Sequence, residues 1–123
     1  MNARILLVDD LDFMRIAIRE ILEINGFQII GEAENGKQGV DLYFELKPDI
    51  VIMDITMPVM NGIMALKTIK KSDPGAVVVM CSSLGQHEYV IRSIQLGARD
   101  FVVKPFRPER ILSAVKKAAH VYE

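Results

Sequence analysis

The chain has 123 residues, enough for one domain with its own hydrophobic core and too few for two. Its residues are 50% hydrophobic and 25% charged, which excludes a disordered chain, and the net charge of −1 gives no reason to expect nucleic acid as the main partner. The apolar runs are only about five residues long, so no transmembrane helix is predicted. The N-terminus has no signal-peptide pattern. We expect a monomeric, cytoplasmic domain spanning residues 1–123, with no membrane partner.

Five short apolar runs predict β-strands, and the segments between them show the spacing of amphipathic helices. The first helical pattern, through Met14, Ile18 and Leu22, ends at Gly26. Later helical patterns end at Lys47-Pro48, at Asp73-Pro74-Gly75 and at Gly97, and the last begins at Pro108. The strands are predicted at residues 5–8, 27–30, 50–53, 76–81 and 101–103. This alternation predicts an α/β fold of βαβ units, with a five-stranded parallel sheet and helices on both faces.

Three smaller features are ordinary structural ones. Cys81, the single cysteine, follows apolar residues and is predicted to be a buried small hydrophobe. Asn35-Gly36 and Asn61-Gly62 predict turns. Glu32 and Glu34 are predicted to face solvent beside an edge strand.

Polar residues follow four of the five predicted strands at the point where each strand ends. They are Asp9-Asp10, with Asp12 close behind, then Asp54, Ser82-Ser83 and Lys104-Pro105. Because the strands of a parallel sheet all end on the same edge, we expect these carboxylates, hydroxyls and the ammonium to converge on one pocket.

Carboxylates crowded together raise one another's pKa unless a cation lies between them. Oxygen ligands with no His or Cys nearby suit a hard ion, Mg²⁺ or Mn²⁺. Mg²⁺ uses one or two carboxylates and leaves room for a phosphoryl group, and a carboxylate such as Asp54 can be the nucleophile that accepts it. Lys104 and the Ser82 hydroxyl would complement the anionic oxygens.

Each of these residues also has an ordinary structural interpretation. Asp54 could cap the next helix, and Asp10 or Asp12 could cap the first. Ser82 or Ser83 could cap the helix that follows it, and Lys104 could be a solvated loop lysine. For all of these to hold at the ends of four separate strands is much less probable than any one alone, so we favour a functional site.

The same residues resemble those of response regulator receiver domains, and the resemblance covers about residues 4–120. The resemblance depends on four segments, which are Val8-Asp9-Asp10, residues 53–62, Met80-Cys81-Ser82-Ser83 and residues 101–106. The resemblance implies a doubly wound (βα)5 domain with strand order 2-1-3-4-5, so that the first and third strands are neighbours.

The resemblance also implies a role for each residue of the site. Asp54 would accept a phosphoryl group from a histidine kinase, and Asp10, Asp54 and the Thr56 carbonyl would bind Mg²⁺, with Asp9 assisting through water. Ser82 and Ser83, Lys104 and the aromatic Phe101 would form the phosphoryl-contacting and switch group. Thr56 and Leu84 occupy positions that tune phosphate lifetime, and the Lys104–Pro105 bond matches one that is usually cis.

Two departures from the family pattern bear on these roles. Ser82 stands where Thr is commoner, which keeps the hydroxyl but loosens its rotamer. Phe101 lacks a tyrosine hydroxyl, so an output step that needs that hydroxyl is not predicted.

Within the family, residues 12–15, 54–58 and 81–86 are similar to the stand-alone chemotaxis regulators of the CheY type from thermotogal, Gram-positive and archaeal sources. The chain ends soon after its last helix, so a diffusible switch is expected, although a domain cut from a longer regulator or a phosphorelay intermediate is an alternative. Its partners would be a histidine kinase, a target such as a flagellar motor switch protein, and a phosphatase. The output face is predicted to include Tyr89, Arg92, Arg99, Phe101, Arg107 and Arg110; three of these could equally be solvated surface charges.

Three rival classes fit less well. A haloacid-dehalogenase-type phosphatase shares the Asp, Ser, Lys and Mg²⁺, but it needs a further acidic pair after the lysine strand, where only Glu109 and Glu123 remain. A flavodoxin-like cofactor binder would have Asp9-Asp10 repelling its phosphate. A non-phosphorylatable interaction module is disfavoured because every residue type needed for phosphorylation is present. The sequence therefore predicts a phosphoacceptor switch rather than an enzyme.

Overall fold

The predicted strands form one parallel sheet in the order β2-β1-β3-β4-β5. A computed structural model of the chain describes residues 3–120. Its strands are β1 (Arg4–Val8), β2 (Gln28–Ala33), β3 (Ile50–Met53), β4 (Val78–Ser82) and β5 (Asp100–Val103). Its helices are α1 (Asp12–Ile24), α2 (Gly36–Leu46), α3 (Gly62–Ser72), α4 (His87–Gln95) and α5 (Pro108–Ala119). The predicted fold class and strand order are confirmed.

Helices cover both faces of the sheet because successive strand residues point to opposite sides. Leu6 and Val8 of β1 pack into the core beneath α2, α3 and α4. Ile5 and Leu7 pack into the other core, beneath α1 and α5. The central strand β3 is buried along its whole length, which explains its uninterrupted apolar sequence. None of the helices in residues 3–120 is long and apolar enough to cross a membrane.

The second strand is longer than predicted and changes the position of Glu32. It runs to Ala33 rather than Ile30, since Gly31, Glu32 and Ala33 pair with the last three residues of β1. Glu32 is therefore half-buried within a strand, and its carboxylate accepts a hydrogen bond from Arg15. The prediction that Glu32 faces solvent was wrong, because tertiary pairing with β1 extends the strand past the apolar run.

The two predicted Asn-Gly turns are the N-terminal caps of helices. The Asn35 side chain accepts a hydrogen bond from the backbone N–H of Gln38 at the start of α2, and Asn61 accepts one from Met64 at the start of α3. Cys81 lies in β4 with 1% of its surface exposed, as predicted, and burial raises the pKa of its thiol to about 12. Residues 1–2 and 121–123 lie outside the described range, so the domain limits 1–123 stay a prediction.

Candidate functional site

Three carboxylates meet at the edge of the sheet where β1 and β3 end. Asp9 and Asp10 follow β1, and Asp54 follows β3, its neighbour in the sheet. One oxygen of each carboxylate lies within 4.8 Å of the others. Asp12, at the first position of α1, is not part of this group and pairs with Arg15 instead. We call Asp9, Asp10, Asp54, Ser82 and Lys104 the acid site.

Lys104 reaches this group from the end of β5. Its Nζ lies 2.6 Å from Asp9 Oδ2 and 3.4 Å from Asp54 Oδ2, and its side chain is only 10% exposed. The backbone N–H of Lys104 donates to the Ser82 carbonyl at 2.9 Å, and the Lys104–Pro105 bond is cis as the resemblance implied. Burial works to lower the pKa of Lys104, but the hydrogen bond to Asp9 and the charge of Asp54 outweigh it and raise the pKa. The ammonium therefore stays charged.

Asp54 is a buried acid held from both sides by backbone groups. It is 6% exposed, its N–H donates to the Val8 carbonyl, and its Oδ1 accepts the Ile55 N–H at 2.8 Å. Burial raises the pKa of Asp54, the charge of Lys104 opposes that rise, and Asp9 adds to it. The charged form of the Asp54 carboxylate is thus disfavoured, and an added cation would stabilise it.

Gly62 allows α3 to begin directly against Asp54. A Cβ at this position would lie 1.7 Å from the Asp54 carbonyl oxygen, a separation that no side chain can adopt. The Gly62 N–H donates to the Ile55 carbonyl at 2.8 Å, which ties the start of α3 to the residue after Asp54. The Asn-Gly pair therefore has two functions, since Asn61 caps the helix and Gly62 permits its close approach.

The remaining predicted residues lie around this group with different exposure. Asp10 and Thr56 are exposed, and the Asp10 carboxylate makes no hydrogen bond or ion pair with any residue of 3–120. Ser82 is 1% exposed and its Oγ accepts the N–H of Leu84 at 3.1 Å, while Ser83 is exposed. The Ser82 hydroxyl, which is predicted to contact a phosphoryl group, therefore accepts a hydrogen bond from the loop that follows β4.

The helix-capping interpretations of these residues are contradicted. Leu11 is the N-cap of α1, Gln86 is the N-cap of α4, and neither provides a side-chain cap. Asn61, rather than Asp54, caps α3. Lys104 is not a solvated lysine either, because its ammonium is paired with Asp9. Among the polar residues at the strand ends, Asp9 and Asp54 therefore pair with Lys104 and do not cap helices.

The predicted output face is only partly accessible. Phe101 is 7% exposed and belongs to the core, where Leu84 and Tyr89 pack against the same cluster. Its inclusion among surface residues was therefore wrong, because its side chain points under α4 rather than outward. Tyr89 is half-buried. We keep the name output face for Tyr89, Arg92, Arg99, Arg107 and Arg110.

The exposed arginines of the output face differ in their contacts. Arg92, Arg99 and Arg107 are exposed, and Arg110 pairs with Asp100 at 3.1 Å. Burial works to raise the pKa of Asp100, but hydrogen bonds from Arg110 and from the Phe101 N–H together hold it below its ordinary value. Arg110 is thus an intramolecular partner of β5 as well as a surface charge.

Sequence reasoning missed Arg15, which borders the acid site. Its guanidinium donates to the backbone carbonyl of Asp9, to the Asp12 carboxylate and to Glu32 Oε1. The pair Asp12 and Arg15, one helical turn apart, is a signal visible in the sequence. The contact with Glu32 is not visible there, since it depends on the extended β2.

With this geometry in place, the relatives of the chain identify its family. Residues 5–116 match the response regulator receiver domain family. The chain is 51% identical to chemotaxis protein CheY of Thermotoga maritima over 97% of this chain and 99% of that protein, and 56% identical to chemotaxis protein CheY of Bacillus subtilis over 95% and 98%. The chain therefore belongs to the response regulator receiver domains and, within them, to the CheY-like chemotaxis proteins.

A solved structure supports the same assignment. A chain in the crystal structure of the CheX–CheY–BeF3–Mg²⁺ complex from Borrelia burgdorferi aligns with a TM-score of 0.91 and 36% identity, covering 98% of this chain and 90% of that one. Receiver domains of this type are signalling switches and not classical enzymes. The family match gives no support to a haloacid-dehalogenase-type phosphatase or a flavodoxin-like cofactor binder.

Proposed function

We propose that the chain is a phosphorylation-controlled switch in which Asp54 accepts a phosphoryl group from a histidine kinase. A carboxylate oxygen of Asp54 would form the new bond to phosphorus while the bond from phosphorus to the kinase imidazole breaks. The observation that carries the proposal is the placement of Asp54, a buried carboxylate facing Lys104 and grouped with two further acids. A nucleophile held in this way needs little reorganisation before it reacts.

The acids fit a hard divalent cation. They offer oxygen ligands, one of them exposed and unpaired, and burial together with the nearby charge of Asp9 raises the pKa of Asp54. We propose that Asp10, Asp54 and the Thr56 carbonyl hold Mg²⁺, or Mn²⁺, with Asp9 assisting. The ion would neutralise charge on the transferring phosphoryl oxygens.

Two further residues would interact with the phosphoryl group on the other side. The Lys104 ammonium can pair with an oxygen of that group, because it already lies 3.4 Å from Asp54 Oδ2. Ser82 would donate its hydroxyl after exchanging its present contact with Leu84, and Ser83 stands next to it. Such an exchange would move the loop before α4, whose Leu84 packs against the core cluster that contains Phe101, and so would link Asp54 to the output face. Thr56 and Leu84 would tune the lifetime of the phosphorylated form.

We propose chemotaxis as the pathway, because the curated relatives named above are chemotaxis proteins. The target of the output face would then be a flagellar motor switch protein in the cytoplasm. The Borrelia burgdorferi complex pairs a CheY with CheX and suggests a phosphatase as a further partner. A single domain spanning residues 1–123 would suffice for these interactions.

Labelling by a small phosphoryl donor tests the proposal. Wild-type protein should take up phosphate from acetyl phosphate in the presence of Mg²⁺, and Asp54→Asn should abolish the labelling, since the amide cannot form the bond. Asp41→Asn, at an exposed position of α2, is the matched control and should label normally. Undiminished labelling of Asp54→Asn would move the acceptor to another residue.

Beryllofluoride gives an independent measurement. With Mg²⁺ present it should shift the backbone NMR signals of Asp54, Ser82 and Lys104 in wild type and leave them unchanged in Asp54→Asn. The absence of any response to Mg²⁺ in the wild-type protein would count against the whole proposal.

A further inference from the structure

Arg15 of α1 is nearly buried beside the acid site. Its side chain is 12% exposed, and its guanidinium donates in three directions. One donor contacts the Asp9 carbonyl, one the Asp12 carboxylate, and Nε lies 3.0 Å from Glu32 Oε1. Because a guanidinium is planar and rigid, three such contacts fix its position. Arg15 therefore joins the end of β1 to α1 and β2.

The oxygen that Arg15 holds belongs to the peptide unit between Asp9 and Asp10. On its other side, the Asp9 N–H donates to the Ala33 carbonyl at 3.0 Å, so the backbone of Asp9 is held at both ends. The Asp9 carboxylate has its own partners, the Leu11 N–H and Lys104. The Asp10 carboxylate has none among residues 3–120, so the peptide that Arg15 holds is what places the start of the Asp10 side chain.

We propose that Arg15 is a positioning residue for the cation site. By holding the Asp9–Asp10 peptide, it points the Asp10 carboxylate toward the position that a divalent cation would share with Asp54. This inference rests on the proposed function, which assigns the cation to these acids. It adds a residue that contacts neither the cation nor the phosphoryl group.

The charges around Arg15 make it possible to distinguish a positioning role from an electrostatic one by their effects on cation affinity. Arg15 and Arg19 together are balanced by Asp12 and Glu32, since Arg19 also pairs with Glu32. Removal of either arginine leaves one extra negative charge near the acids, which by Coulomb attraction should tighten cation binding. Loss of a positioning contact should instead loosen it. The two roles therefore predict changes of opposite sign.

A titration of the metal-free, unphosphorylated protein with Mg²⁺, followed by the NMR shift of the Asp10 amide, measures this change. Arg15→Gln should weaken Mg²⁺ binding by about tenfold, as is typical when a residue that orients a metal ligand is lost. Arg19→Gln is the matched control, because it removes the same charge from the same network without a contact to Asp9. It should bind Mg²⁺ as tightly as wild type or more tightly.

Arg15→Lys keeps the charge but replaces the three-way fork with one flexible donor. Its affinity should fall between those of wild type and Arg15→Gln, and circular dichroism verifies that each variant is folded at the titration temperature. If Arg15→Gln does not fold, the comparison of Arg15→Lys with wild type decides the question, because unchanged affinity contradicts a positioning role.

Other outcomes overturn the inference directly. Unchanged or tighter binding by Arg15→Gln would make Arg15 a structural residue only, and equal weakening by Arg15→Gln and Arg19→Gln would assign the effect to the ion-pair network rather than to the Asp9 carbonyl. If wild-type protein does not bind Mg²⁺, the proposed function fails first. Wild-type binding with an unaffected Arg15→Gln leaves that function intact and removes only this inference.

Discussion

The acid site and the output face are built in opposite ways. In the acid site, the side chains of Asp9, Asp54 and Lys104 are each at most 10% exposed and contact one another. On the output face, Arg92, Arg99 and Arg107 are exposed. One region has its geometry set by the fold before any partner arrives, and the other leaves these three arginine side chains exposed to solvent.

The difference shows what each region can contribute. Group transfer needs reacting atoms already in place, and such placement costs stability when like charges are buried together. Recognition needs accessible side chains, whose ordering is completed by the partner. Substitutions in the acid site should therefore change stability and chemistry together, whereas substitutions on the output face should change binding and leave stability almost unaltered.

The largest effect is expected from Lys104→Met in the metal-free protein. Without the ammonium, Asp9 and Asp54 are left buried without a cation, which should lower the free energy of unfolding by about 3 kcal/mol at pH 7. Urea unfolding in EDTA measures it. Lys37→Met, which breaks the exposed pair with Asp41, is the control and should cost less than about 0.5 kcal/mol. If both variants lose the same free energy of unfolding, the buried acids do not depend on the Lys104 ammonium more than an exposed acid depends on its lysine.

The next effect has the opposite sign. Asp54→Asn should raise the free energy of unfolding of the metal-free protein by about 1 kcal/mol, or roughly 4 °C in melting temperature. Since the folded-state pKa of Asp54 is raised, this group contributes stability below the ordinary carboxyl pKa and loses it as pH rises through the raised value. The gain from Asp54→Asn should thus be small in acid and grow toward neutral pH. A gain that is constant with pH would contradict an electrostatic origin.

A smaller gain is expected at Val59, in the loop between Asp54 and α3. Its φ of 67° lies in the left-handed region that a β-branched residue tolerates poorly, and its side chain is 82% exposed. Val59→Asn should raise stability by about 0.5–1 kcal/mol, because Asn adopts this conformation more readily. Val59→Ala keeps the Cβ conflict and should gain little. Thermal melts of the two variants test this, and equal melting temperatures would remove backbone strain as the cause.

The smallest effects belong to the output face. Arg110→Ala should cost less than about 1 kcal/mol, because its pair with Asp100 is partly exposed, and Arg92→Ala should stay within about 0.5 kcal/mol of wild type. The folded-state pKa of Asp100 is lowered, so the pair stabilises the protein above the ordinary carboxyl pKa and is lost as pH falls through the lowered value. Urea unfolding at pH 7 and pH 3 should therefore show the cost of Arg110→Ala shrinking in acid. A cost that grows in acid would contradict this ion pair.

The acid site could be predicted because its signals are local. Asp54, Ser82 and Lys104 each stand where an apolar run stops, and parallel topology brings those ends together. The helix stops at Gly26 and Gly97 were equally visible, since each follows a periodic pattern. The sequence was enough to predict a residue's position wherever a polar side chain or a glycine marks the end of a strand or helix.

Prediction failed where the outcome depended on packing between distant segments. Glu32 follows Gly31, and nothing in that dipeptide predicts a strand until β1 pairs with it. Phe101 lies in a predicted apolar strand, but which face of the sheet covers it depends on the packing of the cluster that Leu84 and Tyr89 border. On the output face, an exposed arginine that contacts a partner and one that is merely solvated have the same sequence pattern.

The ion pair between Asp9 and Lys104 also has a consequence for the newly made protein. The two residues are 95 positions apart, so at about 5–20 residues per second a ribosome adds the lysine roughly 5–20 s after the acid. During that interval the nascent chain can pair β1 with β2 and β3, but the acids at their ends lack their ammonium. A partial chain therefore lacks the complete acid site that a kinase would need, and the protein can accept a phosphoryl group only when its synthesis is nearly complete.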